Sequence, residues 1–124
     1  MSIRAVAIDI DGTLSDESRN LHLGAIRKIR EIEARGIPVI LATGNILCIS
    51  EAASFFIGTS GPLIVENGGI IKTKSQRAMY LTESREINKA YQHLSKSLNV
   101  KKVARSELRK TEIAIYRTLS VEKI

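Results

Sequence analysis

Two aspartates, Asp9 and Asp11, stand one residue apart after the short apolar run Ile3 to Ile8, and Gly12 and Thr13 follow them. A second polar group, Thr43-Gly44-Asn45, follows the run Pro38 to Ala42, and a third, Glu66-Asn67-Gly68-Gly69, follows Pro62 to Val65. Carboxylates at this spacing, beside glycine and threonine, suit a cation and a phosphate. One aspartate can attack phosphorus as a nucleophile. The other can protonate the leaving oxygen and then activate water. A magnesium ion would offset the repulsion between carboxylate and phosphate. The Thr43 hydroxyl can donate to phosphate, and the amides of Gly44 and Asn45, opening a helix, add donors and a favourable dipole.

Each feature also has a purely structural reading. An aspartate after a strand often only forms a turn or caps a helix. That reading serves one of the pair, but not easily Asp9, which directly ends an apolar strand. Thr43 and Asn45 can simply cap the next helix. Gly68-Gly69 suits a hairpin turn better than a phosphate loop. Cys48, among apolar residues, is expected in the core, and His22 and His93 on the surface. No Gly-x-x-x-x-Gly-Lys phosphate loop is present, which argues against a nucleoside triphosphatase of that type.

The elements that must position these groups follow from periodicity. Ile3 to Ile8 reads as a parallel strand buried on both faces. Leu23, Ile26, Ile29 and Ile32 recur every third residue among charged ones, an amphipathic helix closed by Gly36 and Pro38. Pro38 to Ala42 is a second strand. Leu47, Ala52, Phe55 and Phe56 supply the apolar positions of a second helix, which Gly58 stops, and Pro62 to Val65 is a third strand. Strand, helix, strand, helix, strand with short links predicts a parallel three-stranded sheet covered by helices, an α/β fold. In such sheets ligands bind outside the carboxyl ends of the strands, so the three polar groups should converge on one crevice.

After Asn67 the pattern changes. Ile70 to Lys72 and Met79 to Leu81 read as an antiparallel pair. Thr82 can cap a helix with Ile87, Ala90, Tyr91, Leu94 and Leu98 on one stripe. Lys101 to Arg105 and Glu112 to Arg117 read as two further strands, and Ser120 as the cap of a helix that stops after one turn. A one-turn helix is unstable alone, so the sequence is expected to be the front part of something longer.

The 124 residues suffice for one ordinary domain. Their 44% hydrophobic and 26% charged content excludes a disordered tail. No apolar run reaches the roughly 20 residues of a membrane span. With no signal peptide visible and a single cysteine, a reducing, cytoplasmic setting is expected. The net charge of +6 is uneven: residues 1–70 hold 6 basic and 8 acidic residues (net −2), and residues 71–124 hold 13 and 5 (net +8). The basic residues are scattered and only five aromatics accompany them, which disfavours nucleic-acid binding. A basic wall that attracts a small anionic substrate is compatible with this distribution.

Asp9-Ile10-Asp11-Gly12-Thr13 followed by Leu41-Ala42-Thr43-Gly44-Asn45, each after its own strand, resembles the haloacid dehalogenase-like superfamily of aspartate-nucleophile phosphatases. Ile57-Gly58-Thr59-Ser60-Gly61-Pro62 with Val65-Glu66-Asn67-Gly68-Gly69 is similar to the archaeal-type phosphoglycolate phosphatases. The resemblance implies a Rossmann-like core whose N-terminal part occupies residues 1–81, with the beginning of an α/β cap domain in residues 82–124. It implies that Asp9 is the nucleophile that forms an aspartyl-phosphate and a Mg2+ ligand. Asp11 becomes the general acid/base, with its carbonyl on the metal. Thr43, Gly44 and Asn45 hold the phosphoryl group, and Asn67 lies near the site. The family also uses a lysine that neutralises phosphate and a later Gly-Asp motif. Both come after the cap, and the resemblance gives neither Lys72 nor Lys74 that role. The 124 residues alone are therefore expected to be a poor catalyst, completed by a C-terminal fragment or within an oligomer. The implied substrate is a small phosphorylated molecule, first phosphoglycolate and alternatively a sugar phosphate. A phospho-accepting signalling module is the reading from another class, and the antiparallel extension after Asn67 disfavours it.

Overall fold

The computed structural model describes residues 2–116. The apolar runs become β1 (Val6–Ile8), β2 (Val39–Ala42) and β3 (Leu63–Val65), and the periodic segments between them become α1 (Leu23–Glu33) and α2 (Leu47–Ile57). A short 3-10 turn, Glu66–Gly68, leads into β4 (Ile70–Lys72) and β5 (Met79–Tyr80). Helix α3 (Ser84–Ser97) and a second 3-10 turn (Ser106–Leu108) follow. One sheet of order β1-β2-β3-β4-β5 results, parallel from β1 to β3 and antiparallel from β3 to β5. The parallel α/β sheet expected from the sequence is present, extended by an antiparallel pair.

The core lies where α1 and α2 meet the sheet. Ile29 of α1 and Ile57 of α2 are buried with Val39, Leu41, Leu63, Val65 and Ile70. Each such side chain contributes about 1.5–3 kcal/mol by leaving water. β2 is flanked on both sides, so Val39 and Leu41 are fully covered. β1 is different. It is the edge of the described sheet, paired only with β2, and Ala7 and Ile3 are exposed rather than buried on both faces.

α2 corrects a hydrophobicity-based reading. Phe55 and Phe56 are 81% and 71% exposed, packed edge to face with ring centroids 5.5 Å apart. The buried stripe is Ser50, Ser54 and Ile57. The small serines can face the core because their hydroxyls are satisfied, Ser50 by the Ile46 carbonyl at 3.1 Å and Ser54 by Thr59 at 2.7 Å. Cys48 lies off that stripe and is exposed, not a core residue. The helix ends at Gly58, whose φ of 91° gives the left-handed cap. Arg30 of α1 donates to the Phe56 and Ile57 carbonyls at 2.9 and 3.0 Å, pinning the two helices together.

Glu33 performs a similar task at the other end of α1. Its Oε1 accepts the amides of Val39 and Ser60, both at 2.7 Å, tying the entries of β2 and β3 to the helix. Burial raises its carboxyl pKa, but hydrogen bonds from Ser60 and Val39 outweigh that and hold it below the ordinary value of 4.5. A depressed folded-state value stabilises the fold above the unfolded pKa, and that contribution is lost as pH falls through the folded value. Glu33→Gln should therefore flatten the loss of stability below pH 4.5, compared with the native chain in urea titrations at successive pH values. An identical acid limb in both proteins would exclude this role.

Beyond β5 the sequence reading holds in part. Glu83, not Thr82, takes the N-cap position of α3 and makes no side-chain capping hydrogen bond, and no residue of the helix is fully buried. The two strands expected at residues 101–105 and 112–117 reduce to one bridge, Lys102 to Ile115. Instead, Arg105 takes a left-handed φ of 65° and the chain turns through Ser106–Leu108. The Lys102 ammonium lies 4.4 Å from the Tyr91 ring centroid, a cation–π contact that joins this segment to α3. The helix expected at Ser120 lies outside the described residues.

Candidate active site

The three polar groups leave the carboxyl ends of β1, β2 and β3, side by side in the sheet. After β1, Ile10 is buried while Asp9 and Asp11 on either side are exposed. The chain then winds around the Ile10 carbonyl, which accepts the amides of Thr13, Leu14 and Ser15 and the Ser15 hydroxyl. Gly12, at φ 75°, makes that turn possible, and Leu14 anchors it in the core. A buried isoleucine thus holds two carboxylates outward. Asp9 Oδ1 accepts the Ile10 amide at 2.7 Å, leaving Oδ2 without a partner among the described residues.

The loop after β2 is equally constrained. Thr43 is 6% exposed, and its amide is fixed on the Ile64 carbonyl at 2.9 Å. Its Oγ1 accepts from the Asn45 amide and the Asn45 side chain, both at 3.1 Å. Both acceptor positions are used by the protein, so the hydroxyl proton remains for a ligand. α2 begins only at Leu47, so Gly44 and Asn45 precede the helix rather than open it. Asn45 Nδ2 also donates to Asp11 Oδ2 at 2.6 Å. The side chain expected to help hold phosphate thus orients the second aspartate.

The turn after β3 is bound to this loop by the amides of Glu66 and Asn67, which donate to the carbonyls of Asn45 and Thr43 at 3.1 and 3.4 Å. Glu66, Asn67 and Gly68 have consecutive positive φ values of 49°, 54° and 92°. For glutamate this costs of order 1 kcal/mol or more. Two gains offset it. The turn places Asn67 against Gly44, where an added Cβ would sit 3.0 Å from Asn67 Oδ1. It also buries Glu66 at 3% exposure, with Oε2 accepting the amides of Lys110 and Thr111 and the Thr111 hydroxyl at 2.8–2.9 Å. Gly69 makes room for this docking, because a Cβ there would overlap the Thr111 hydroxyl.

Asp9, Thr43, Gly44 and Asn67 line one cleft of about 360 Å³, and Asp11, Gly44, Asn45 and Arg109 line an adjoining one of about 460 Å³. Arg109 and Glu112 are additions that sequence reasoning missed. Arg109 Nη1 donates to the Gly44 carbonyl at 2.8 Å and pairs with Glu112, which also accepts Asn67 Nδ2 at 2.7 Å. They lie on either side of the two residues that Glu66 clamps, so the clamp sets Arg109 in the wall of the second cleft and Glu112 against Asn67. Lys72 and Lys74 line a separate cavity with Glu51 and Phe55, and Lys72 Nζ is held by the carbonyls of Thr73 and Gln76.

Residues 6–119 match the sequence profile of the haloacid dehalogenase-like hydrolases. The chain belongs to that family. Among similar proteins is a phosphoglycolate phosphatase from Methanopyrus kandleri, 43% identical over 121 residues that cover 96% of this chain and 52% of the relative. Another, from Methanosarcina acetivorans, is 44% identical over 124 residues, covering 99% and 53%. A crystal structure from Thermoplasma acidophilum superposes with a TM-score of 0.88 at 29% identity, covering 99% of this chain and 54% of that one. The chain spans about half the length of the curated relatives it matches. Among the described residues no helix is long and apolar enough to cross a membrane.

Proposed function

We propose that these residues form the nucleophile half of a magnesium-dependent phosphatase site for small phosphate monoesters, with 2-phosphoglycolate as substrate. The observation that carries this reading is the cleft lined by Asp9, Thr43 and Gly44, with Asp11 of the adjoining cleft oriented by Asn45. Asp9 Oδ2 attacks phosphorus in line with the departing alkoxide, forming an aspartyl-phosphate. Asp11 delivers a proton to that alkoxide and then takes one from the water that opens the acyl phosphate. Thr43 donates to a phosphoryl oxygen, and Asn67 closes the wall of the cleft. The relatives' activity at about 40% identity supports phosphoglycolate as substrate.

Magnesium fits the donors present. The Asp9 carboxylate and the Asp11 backbone carbonyl are hard oxygen donors of the kind magnesium takes when phosphate and water supply the other ligands. Among the described residues no group of three or more metal-binding side chains gathers. Asp9 and Asp11 would hold the ion, and its charge would offset the repulsion between carboxylate and phosphate.

Residues 1–81 act in this reading as part of the catalytic core and residues 82–124 as the start of a cap. Helix α3, in which no residue is fully buried, supports that division, and the clamp from Glu66 to Thr111 ties the two parts together. The remaining phosphate-neutralising groups come from a further segment or from a partner fragment.

The test is hydrolysis of 2-phosphoglycolate and of hexose phosphates, with and without Mg2+. It is run on the 124-residue polypeptide and on the same residues continued by the second half of the Methanopyrus kandleri relative. The continued chain should turn over phosphoglycolate in a magnesium-dependent manner, at least about tenfold faster than the short one. A preference for hexose phosphates would replace the substrate, and no hydrolysis of any monoester by the continued chain would overturn the reading.

A further inference from the structure

Arg109 reaches the rim of the aspartate clefts from a position 65 residues beyond Gly44 in sequence. Its side chain is 21% exposed and held from three directions. Glu66 fixes the backbone of Lys110 and Thr111 next to it, Glu112 pairs with the guanidinium, and the Gly44 carbonyl accepts from it. Both of these acceptors engage Nη1. The Nε and Nη2 donors have no protein partner among the described residues. That edge of a guanidinium presents two parallel N–H groups, the geometry that matches a carboxylate or a second phosphate bidentately.

The surroundings give such an edge a purpose. Arg109 lines two clefts, one with Lys102 and Glu107, and one beside Gly44 that also holds Asp11, Asp16 and Glu17, where an anion meets repulsion unless a cation receives it. Arg19 is the other cation on that wall, and it is exposed. Gly44 lines both this cleft and the one that holds Asp9, so the two adjoin. Glu112 neutralises Arg109 before a ligand arrives and keeps it from swinging away.

We propose that Arg109 is a specificity-determining residue that receives a carboxylate on the substrate through Nε and Nη2, while Glu112 and the Gly44 carbonyl hold its Nη1. The substrate class is then a short phosphate monoester with a carboxylate at the far end. This rests on the phosphatase reading above and adds a residue that selects among monoesters.

The experiment is calorimetric titration of the 124-residue chain, with Mg2+ present, using 2-phosphoglycolate and ethyl phosphate as the two probes. The native chain should prefer phosphoglycolate about tenfold or more, the worth of one charge-assisted contact. In Arg109→Gln the ratio of the two affinities should fall toward one. Arg109→Lys keeps the charge but loses the planar fork, and should retain less than about a third of the preference. It also serves if the glutamine variant does not fold. A native ratio in either folded variant overturns the role of Arg109 and leaves the phosphatase reading in place. Equal binding of both probes to the native chain does the same. If neither probe binds the 124-residue chain, the same comparison is made as kcat/KM on the continued chain. Equal values for the two probes there overturn the role of Arg109, and failure to hydrolyse either overturns the phosphate-monoester reading and the proposal with it.

Discussion

Asp9→Asn should lower magnesium-dependent turnover of phosphoglycolate about a thousandfold or more in the continued chain, while far-ultraviolet circular dichroism stays native. The size follows from what the carboxylate does. An amide is a far weaker nucleophile than a carboxylate, so the covalent step is lost rather than slowed modestly, and each tenfold corresponds to about 1.4 kcal/mol of barrier. The fold should survive because Asp9 is exposed and its one hydrogen bond is local, from the adjacent Ile10 amide to Oδ1. An asparagine oxygen accepts that bond equally well. Asp11→Asn should differ in kind. Its oxygen can still accept from Asn45, but it has no proton to give, so leaving-group departure and release of the phosphoryl group both slow. Turnover by Asp9→Asn within tenfold of native would remove Asp9 from the chemistry.

Glu66→Ala should have the largest effect on structure. It removes one acceptor and strands three donors, the amides of Lys110 and Thr111 and the Thr111 hydroxyl. Donors left unpaired in a partly buried setting cost about 1–3 kcal/mol each. Water reaching the freed segment reduces the total, so a loss of about 3 kcal/mol is expected in urea denaturation. Of the two gains that offset the left-handed turn only the packing of Asn67 against Gly44 then remains, and alanine is no better suited to that conformation. The segment that holds Arg109 and Glu112 should lift away, and trypsin should cut after Arg109 and Lys110 at least about tenfold faster than in the native chain. Glu66→Gln keeps an acceptor oxygen and should lie between the two. Unchanged proteolysis in Glu66→Ala would mean that other contacts hold the segment.

The parallel sheet and the two motifs were legible in the sequence for a local reason. A strand that ends in polar residues, with a periodic helix before the next one, encodes its own geometry within about 30 residues. Asp9 and Asp11 could be read this way because Ile10 between them alternates inward. The buried face of α2 is not legible from hydrophobicity, because fit to the sheet decides it. Ser50 and Ser54 face the sheet, and two phenylalanines face outward. Periodicity of serine carries no signal unless its hydroxyl partners are known. Arg109, Glu112 and the clamp were invisible for a different reason. Their partners lie 45 and 65 residues away, and a scattered basic composition gives no cue as to which cation turns toward the site. The one local trace was Glu66-Asn67-Gly68-Gly69, whose glycines suit both a hairpin and the close approach of another segment.

The span of the Glu66 clamp also bears on the order of assembly. Its donors lie 45 residues downstream of the acceptor, and closing a loop of that length costs entropy that few contacts return, since α3 within it buries no residue. The β3–β4 reversal, by contrast, closes over a few residues and shapes the carboxylate before its donors arrive. The wall that carries Arg109 should therefore dock late, after the sheet has formed. Weakening the clamp then accelerates undocking and leaves the folding rate of the sheet nearly unchanged. The aspartates belong to the early-forming part of the molecule, and the residue we assign to substrate choice belongs to the late one.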